Sequence, residues 1–597
     1  MKRFEIKRKF TEFVPHLHQL FMSASEYPLL FSEFTAISQE EWMEKVLADL
    51  KGRPYEKLFW RHPSGLVTNP MAMKVDLSGG LPGQDSFRRG SVFLADEAGW
   101  QVVQDLVPGS GVEQLEDALQ AEVYAYQVDA TASDLEDLLS QIAFAESAIH
   151  LHNGTSETLS ALFTAAGAHA GQLTGTATFQ TLSDSLTSPH VHAEAADLQA
   201  MIKASSESPY FRVLGIDLRQ TELLGGTPDV QLAIALAAVV ELLENVPNDE
   251  ITVEDILKHL HFRFPTGDSF FLEVAKYRAF RVLFSDLVTS YRHDSPVLMS
   301  PFVMAMTSRR TLARYDQPTN LLRQTTSAMA AVLGGAEAIL IEPFDILEGS
   351  PEKTGSRLAR NIQFLLKHES YLDQVKDIGG GAYYLEGLTK SVGKKAWEIF
   401  LAIQETGGLR PFIDAHTLER YCSPDRRISM IGVNQSANPQ ETRELIIEEN
   451  DPRAAAGFER LRAQVDQFGR ERGKRLTAFI WQFGDVRMRH ARAQFSRDLL
   501  ASAGIAPIDN RKPNDIEASL AQFKASEADL LVLCSSDTEY IQQGKVLLER
   551  VKTDSSSYPV IIAGNPESIA STGADYTIHA RMDGLEWLKE LCSYWLT

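Results

Sequence analysis

Cysteine is scarce: Cys422, Cys534 and Cys592 are the only three in 597 residues. They are far apart, odd in number and form no CxxC, which excludes a disulfide scaffold and a thiolate zinc site and suits a reducing, cytoplasmic compartment. Long apolar runs are missing too. The stretch VQLAIALAAVVELL at 230–243 is interrupted by polar residues, short of the roughly 18 apolar residues of a membrane span, so a soluble chain is expected. Positive charge is in deficit, with 58 Lys and Arg against 80 Asp and Glu, a net charge of −22. That field disfavours nucleic acid and anionic membrane surfaces as partners. There is no repeat of fixed 20–50-residue period and no low-complexity tract. The basic start MKRFEIKRKFTEF is interrupted by Glu5 and Glu12 and leads into no apolar h-region, so no targeting signal is expected.

What is present is ordinary globular material, 44% hydrophobic and 23% charged, in a chain long enough for two or more domains. SQEEWMEKVLADLKGRPYEKLFWRH, from about 35 to 60, predicts one amphipathic helix with Ser38 as N-cap, Glu41 three residues on, and a Gly52/Pro54 break. From about 70 to 440, β-rich runs alternate with helical patterns: IHLHN at 149–153, FRVLGID at 211–217, FRF at 262–264, PFVMAMT at 301–307 and AILIEPF at 338–344. This alternation predicts an α/β fold with a parallel sheet, and the number of units favours a (β/α)8 TIM barrel. Residues 441–475 are charged with helical periodicity and predict a linker helix. The rest, 476–597, holds five strand patterns (477–484, 504–509, 529–536, 559–564 and 574–579) each followed by a helix, which predicts a flavodoxin-like doubly wound sheet. The expected division is thus 1–69, 70–440, 441–475 and 476–597.

Few side chains suggest chemistry. His150 and His152, like His190 and His192, have the one-residue spacing that places two imidazoles on one strand face, but no third ligand follows, so a structural role is favoured over a metal site. Gly379, Gly380 and Gly381 could turn backbone N–H groups to a phosphate, yet without a P-loop lysine a turn is favoured. Cys534, with Ser535 and Ser536, ends a strand where ligands of open sheets collect, but no base is placed beside it. Arg309, Arg310 and Arg314 follow a barrel strand, either as an anion clamp or as surface ion pairs.

Six stretches together resemble methylmalonyl-CoA mutase: LKGRPYEKLFWRHPSG (50–65), LPGQDSFRRG (81–90), TGDSFFLEVAKYRAFRVLF (266–284), AMAAVLGGAEAILIEPFD (328–345), the segment 357–389 and LLVLCSSDTEYIQQG (530–544). The family is an adenosylcobalamin-dependent isomerase with a CoA-threaded barrel and a C-terminal cobalamin domain. Its cobalamin motif, D-x-H-x-x-G after the first strand, carries the histidine that ligates cobalt from below. Here, in DVRMRHAR, Val486, Met488 and Ala491 stand at the Asp, His and Gly positions, and His490 points elsewhere on a helix. Valine cannot orient an imidazole and a thioether is a poor substitute for one. A second family run, Gly-Tyr-His, is replaced in GIDLRQTELLGG (215–226): Ile216 and Asp217 stand for Tyr and His in the ungapped pairing, Arg219 and Gln220 in a shifted one.

Two functional sites stripped from a legible framework resemble the small (β) subunits of the heterodimeric bacterial mutases. The resemblance implies a non-catalytic chain with no catalytic, cofactor-binding or metal residues of its own, no threaded acyl-CoA and no corrin. It implies adenosylcobalamin on a large (α) subunit that interconverts (R)-methylmalonyl-CoA and succinyl-CoA, with a large interface to that subunit. The alternatives are a self-sufficient acyl-CoA mutase with unusual cobalamin binding, or a regulatory, chaperone-like paralogue.

Overall fold

The structure, a computed structural model, describes residues 37–62, 64–71, 87–91, 99–179, 195–291, 295–349, 351–414, 418–422, 429–511, 515–552, 558–564 and 573–596. It divides into two compact units, residues up to 61 with 67–70, and the remainder. In the first, the helix Gln39–Leu50 starts at the predicted capping box. Ser38 Oγ accepts from Glu41 N at 3.2 Å and the Glu41 carboxylate accepts from Ser38 N at 2.9 Å. The expected single helix is cut short, because Lys51 and Gly52 take left-handed φ of 50° and 83° and Tyr55–Leu58 forms a separate 3-10 turn. Strands β1 (Trp60–Arg61) and β2 (Val67–Thr68) then pair antiparallel.

The second unit opens with nine strands: β3 (Gln101–Leu106), β4 (Ala125–Asp129), β5 (Ala148–Gly154), β6 (Thr174–Phe179), β7 (Tyr210–Arg212), β8 (Leu214–Asp217), β9 (Leu260–Thr266), β10 (Phe302–Thr307) and β11 (Ala338–Leu340). Their order is β7-β6-β5-β4-β3-β11-β10-β9-β8, and every pairing is parallel. β7 and β8 are one stave interrupted at Val213, the first half bonded to β6 and the second to β9. Counted as one, they close an eight-stave barrel whose chain order runs around the ring. The close approach across this stave requires glycine at 215, where a Cβ would lie 2.6 Å from His261 Nε2 and 2.7 Å from Thr178 Oγ1.

Alternation sorts the side chains. Val303, Ala305 and Ile339 face the helices; Val103, Ala125, Ala148, Phe302, Met304, Met306, Ala338 and Leu340 cluster on the other side, inside the barrel. Outside, the helix Pro228–Asn245 is buried almost all round, which is why 230–243 reads as an apolar run without amphipathic alternation. The connector differs from the expected long helix: only Ala456–Arg472 is helical. Asn450-Asp451-Pro452 precedes it, and the residue before a proline is driven out of the α region. The last five strands, β12 (Thr477–Gln482), β13 (Ala506–Asp509), β14 (Leu530–Cys534), β15 (Val560–Ala563) and β16 (Tyr576–Ile578), are parallel in the order β13-β12-β14-β15-β16, the predicted flavodoxin-like arrangement. No helix among the described residues is long and apolar enough to cross a membrane.

Candidate functional site

The barrel's C-terminal mouth, where barrel active sites are built, holds a cavity of about 440 Å³ lined by Asp105, His152, Arg219, Glu222, Arg309 and Glu342 among others. Its charges are paired within the chain. Asp217, at the end of β8, accepts from Arg219 Nε at 3.0 Å and Nη2 at 2.6 Å, and Arg263 Nη1 lies 3.6 Å away. Burial would push the Asp217 carboxyl up, but the two guanidiniums hold it down at about 2. Arg263, buried in the middle of β9, also donates to Gln127, which donates to Asp105 at 2.7 Å. Arg309 grips Glu342 with bonds of 2.8 and 2.9 Å. Burial, with Glu342 close by, pushes Asp105 up to about 6. Burial and the neighbouring Glu273 carry Glu222 to about 7.

The predicted residues now have places. His150 and His152 do share the inner side of β5. His150 is buried, bonds Thr176 Oγ1 at 2.9 Å, and is held down to about 3 by burial and Arg263. His152, lining the mouth, falls to about 3 chiefly for the same reason. Among the described residues no group of three or more His, Cys, Asp or Glu could hold a metal ion; His190 and His192 lie outside the described residues. The triple glycine is a turn: Gly381, with φ +84°, donates its N–H at 3.0 Å to Glu386 in this chain. Of Arg309, Arg310 and Arg314, Arg309 lines the mouth cavity, and Arg314 N bonds Glu459 of the connector helix. Ile216 packs into the outer core, while Asp217 faces inward and Gln220 lines the cavity. Arg263 and Asp105 were missed, although a charge in the middle of the apolar run LHFRFPT was a legible signal.

In the C-terminal sheet the crevice between β12 and β14, the topological switch point, is filled. Glu539 accepts from Asp485 N at 2.7 Å, from Ser536 N at 3.1 Å and Ser536 Oγ at 2.7 Å, and from Ser535 Oγ. Arg492 reaches Ser535 O and Asp537 Oδ1 and lies over the Tyr540 ring, 5.3 Å from its centre. Asp485 caps the helix Val486–Ser502 by accepting from Met488 N at 2.8 Å. That leaves Val486, Met488, His490 and Ala491 on its exposed side. Cys534 is fully buried, with its thiol pushed up by burial to about 12 and Ser496 Oγ 3.7 Å from it, the profile of a packing residue. Glu539 was missed as well, though Ser536-Asp-Thr-Glu539 spells a capping box, which the structure contains.

An eight-stave barrel with a charged mouth, joined by a helical connector to a flavodoxin-ordered sheet, defines the class of α/β proteins that couple a TIM-type barrel to a doubly wound domain. The chain belongs to the methylmalonyl-CoA mutase family, whose model matches residues 80–479. It is similar to the methylmalonyl-CoA mutase small subunit of Porphyromonas gingivalis, 29% identical over 95% of this chain and 98% of that one. It is also similar to the small subunit of Streptomyces virginiae, 28% identical over 90% and 94%. To the methylmalonyl-CoA mutase of Rhizobium meliloti it is 25% identical, over 68% and 63%.

Proposed function

We propose that this chain is the non-catalytic small subunit of a heterodimeric mutase. In this reading it supports a cytoplasmic large subunit that carries adenosylcobalamin and interconverts (R)-methylmalonyl-CoA and succinyl-CoA. The observation that carries the reading is Asp217. At the position where the family's Gly-Tyr-His run would present a histidine, this chain has a carboxylate locked between Arg219 and Arg263. A hydrogen-bond donor for a thioester carbonyl is thereby exchanged for an acceptor already saturated by its own chain. The barrel interior supports it further, because Phe302, Met304 and Met306, with Arg212 over the Phe302 ring at 5.0 Å, fill the axis along which an acyl-CoA would thread.

The residues of the C-terminal crevice do not fit a histidine-ligated corrin. Val486 and Met488 supply no imidazole and no orienting carboxylate, and Glu539 and Arg492 occupy the switch point. On this reading cobalamin chemistry belongs to the other chain, and this chain's residues keep its own two sites closed and rigid. The division into an N-terminal segment to 69, a barrel to 440, a connector to 475 and a terminal domain belongs to the same proposal. The purified chain, saturated with adenosylcobalamin, is expected to form no succinyl-CoA from methylmalonyl-CoA, and to be required in stoichiometric amount by a large chain carrying both motifs. Cobalamin-dependent turnover by the pure chain would overturn the proposal in favour of a self-sufficient mutase.

A further inference from the structure

The connector between the barrel and the last domain has the composition of a charged linker, yet several of its charges are buried. Glu459, Arg462 and Asp466, all on the helix Ala456–Arg472, are 1 to 4% exposed, and Arg453 just before it is buried too. Such side chains are almost never fully buried unless paired, and their partners lie on residues 308–316, the loop after β10 at the rim of the barrel mouth. Loops ordinarily run over the surface, but in this one Thr311, Leu312, Ala313 and Tyr315 are buried. Arg310 O accepts from Ala454 N at 3.0 Å, and Leu312 O from Arg453 Nη1 at 3.3 Å. Arg314 N donates to Glu459, which also pairs with Arg453 at 2.8 Å. Tyr315 OH donates to Asp466 at 2.8 Å, and Arg462 lies over the Tyr315 ring, 4.0 Å from its centre. Ala313 and Ala455 meet in a small apolar cluster beside these bonds.

The same helix belongs equally to the terminal domain. Leu461 and Val465 pack in that domain's core. A Cβ on Gly457 would lie 2.5 Å from Leu585 Cδ2, so the helix is pressed against the last one, Gly584–Leu596. We propose that the loop after β10 and the connector helix form an interdomain bolt, which holds the terminal domain in one seat at the rim of the barrel mouth so that the two domains move as one body. Two domains joined by a modest polar interface move relative to one another by default. A seam of buried, hydrogen-bonded charges resists that motion, because any slide leaves charges buried without their partners. Ser308 and Arg309, which open the loop, also line the mouth cavity, so the wall of the mouth and the seat of the domain are one element. The bolt needs no partner chain and stands apart from the subunit reading.

The test cuts the covalent link in the folded full chain and asks whether the seam holds without it. Residues 444–449 precede the connector helix in an exposed stretch, where Ile446 is 95% exposed, and are replaced by a site-specific protease's recognition sequence of the same length. The carbonyls that Arg460 holds there belong to the main chain and survive the exchange. Cleavage leaves Tyr315 on one fragment and Arg453, Glu459, Arg462 and Asp466 on the other. The nicked chain is expected to elute at the mass of the uncut one and to separate only in denaturant. Tyr315→Ala removes the ring under Arg462 and the bond to Asp466 together, and is expected to speed separation of the nicked fragments at least about tenfold, with Tyr315→Phe in between. In the uncut Tyr315→Ala chain, amide hydrogen exchange in Ala456–Arg472 is expected to rise by a similar factor while β9 and β14 keep their rates, both domains remaining folded. Unaltered nicked fragments that part under native conditions overturn the bolt. So does a nicked Tyr315→Ala chain that holds together as long as the unaltered one, or exchange that rises equally in all three elements.

Discussion

At the scale of single residues, the barrel mouth is held by Asp217. Its carboxylate is 4% exposed and faces two guanidiniums, so Asp217→Ala takes from buried Arg263 the carboxylate it is paired with. Breaking a buried pair from one side costs about 3–5 kcal/mol, and urea unfolding is expected to show a loss of that size. Asp217→His would do no better, since a ring between two arginines stays neutral. Asp105 and Glu222 act in the opposite sense. A carboxyl whose folded pKa is raised contributes stability below its unfolded value, and that stability is lost as pH rises through the folded one. With folded values of about 6 and 7, the mouth should weaken as pH rises from about 4, the unfolded carboxyl value, to about 7, and stay level above that. Asp217, held at about 2, contributes fully above pH 4 and is lost only in stronger acid. Unfolding measured at pH 5.5 and 8 is expected to differ by about 1–3 kcal/mol, because a tenfold change in proton affinity between folded and unfolded chain is worth about 1.4 kcal/mol. Asp105→Asn with Glu222→Gln should flatten that difference, and a pH-independent midpoint in the unaltered chain would refute the assignment.

At the scale of elements, the barrel strands legible in the sequence were β5, β7 with β8, β9, β10 and β11, short runs rich in aliphatic and aromatic residues. β3, β4 and β6 were not legible because their inward positions are largely polar: Asp105, Gln127, Thr176 and Thr178 point into the barrel, and a buried polar face erases the contrast that strand reading uses. The interruption at Val213 and the short helix after Pro452 lay in backbone detail that apolar periodicity does not report. The C-terminal sheet was legible because its central strands β12, β14 and β15 are covered on both faces and almost continuously apolar. What the sequence concealed there was the filling of the crevice, a matter of backbone N–H groups and serine hydroxyls from the loops after β12 and β14 meeting at one carboxylate. Removing that carboxylate, Glu539→Ala, strips the partners of Asp485 N, Ser535 Oγ and Ser536 N, and is expected to lower stability by about 1–3 kcal/mol. Met488→His alone is expected to give no base-off, histidine-on spectrum when titrated with cobalamin, because Val486 offers the ring no carboxylate and Arg492 and Glu539 keep the slot. A histidine-on spectrum from either the unaltered chain or this variant would show that the crevice opens.

At the scale of the whole molecule, the question is what a barrel and a flavodoxin-ordered domain are kept for when the residues at their usual sites are locked to one another. Elements persist when they carry packing for something else, and a subunit interface is the use consistent with the mutase small subunits this chain resembles along nearly its full length. An obligate interface buries more than about 2,000 Å² and draws on apolar side chains. Phe271, Tyr371 and Val375, exposed to 56, 65 and 61%, are of that kind. The charge of −22 argues for a different chain as partner, because two copies would repel over the roughly 8 Å that physiological salt leaves unscreened. Light scattering is therefore expected to give the isolated chain a mass of 66.4 kDa, and to give a one-to-one complex when a large chain is added. That complex should survive dilution to nanomolar concentration, since an interface of this size and apolar character dissociates slowly. A stable homodimer of the isolated chain, or co-expression yielding two separate monomers, would remove the reason proposed here for keeping the fold.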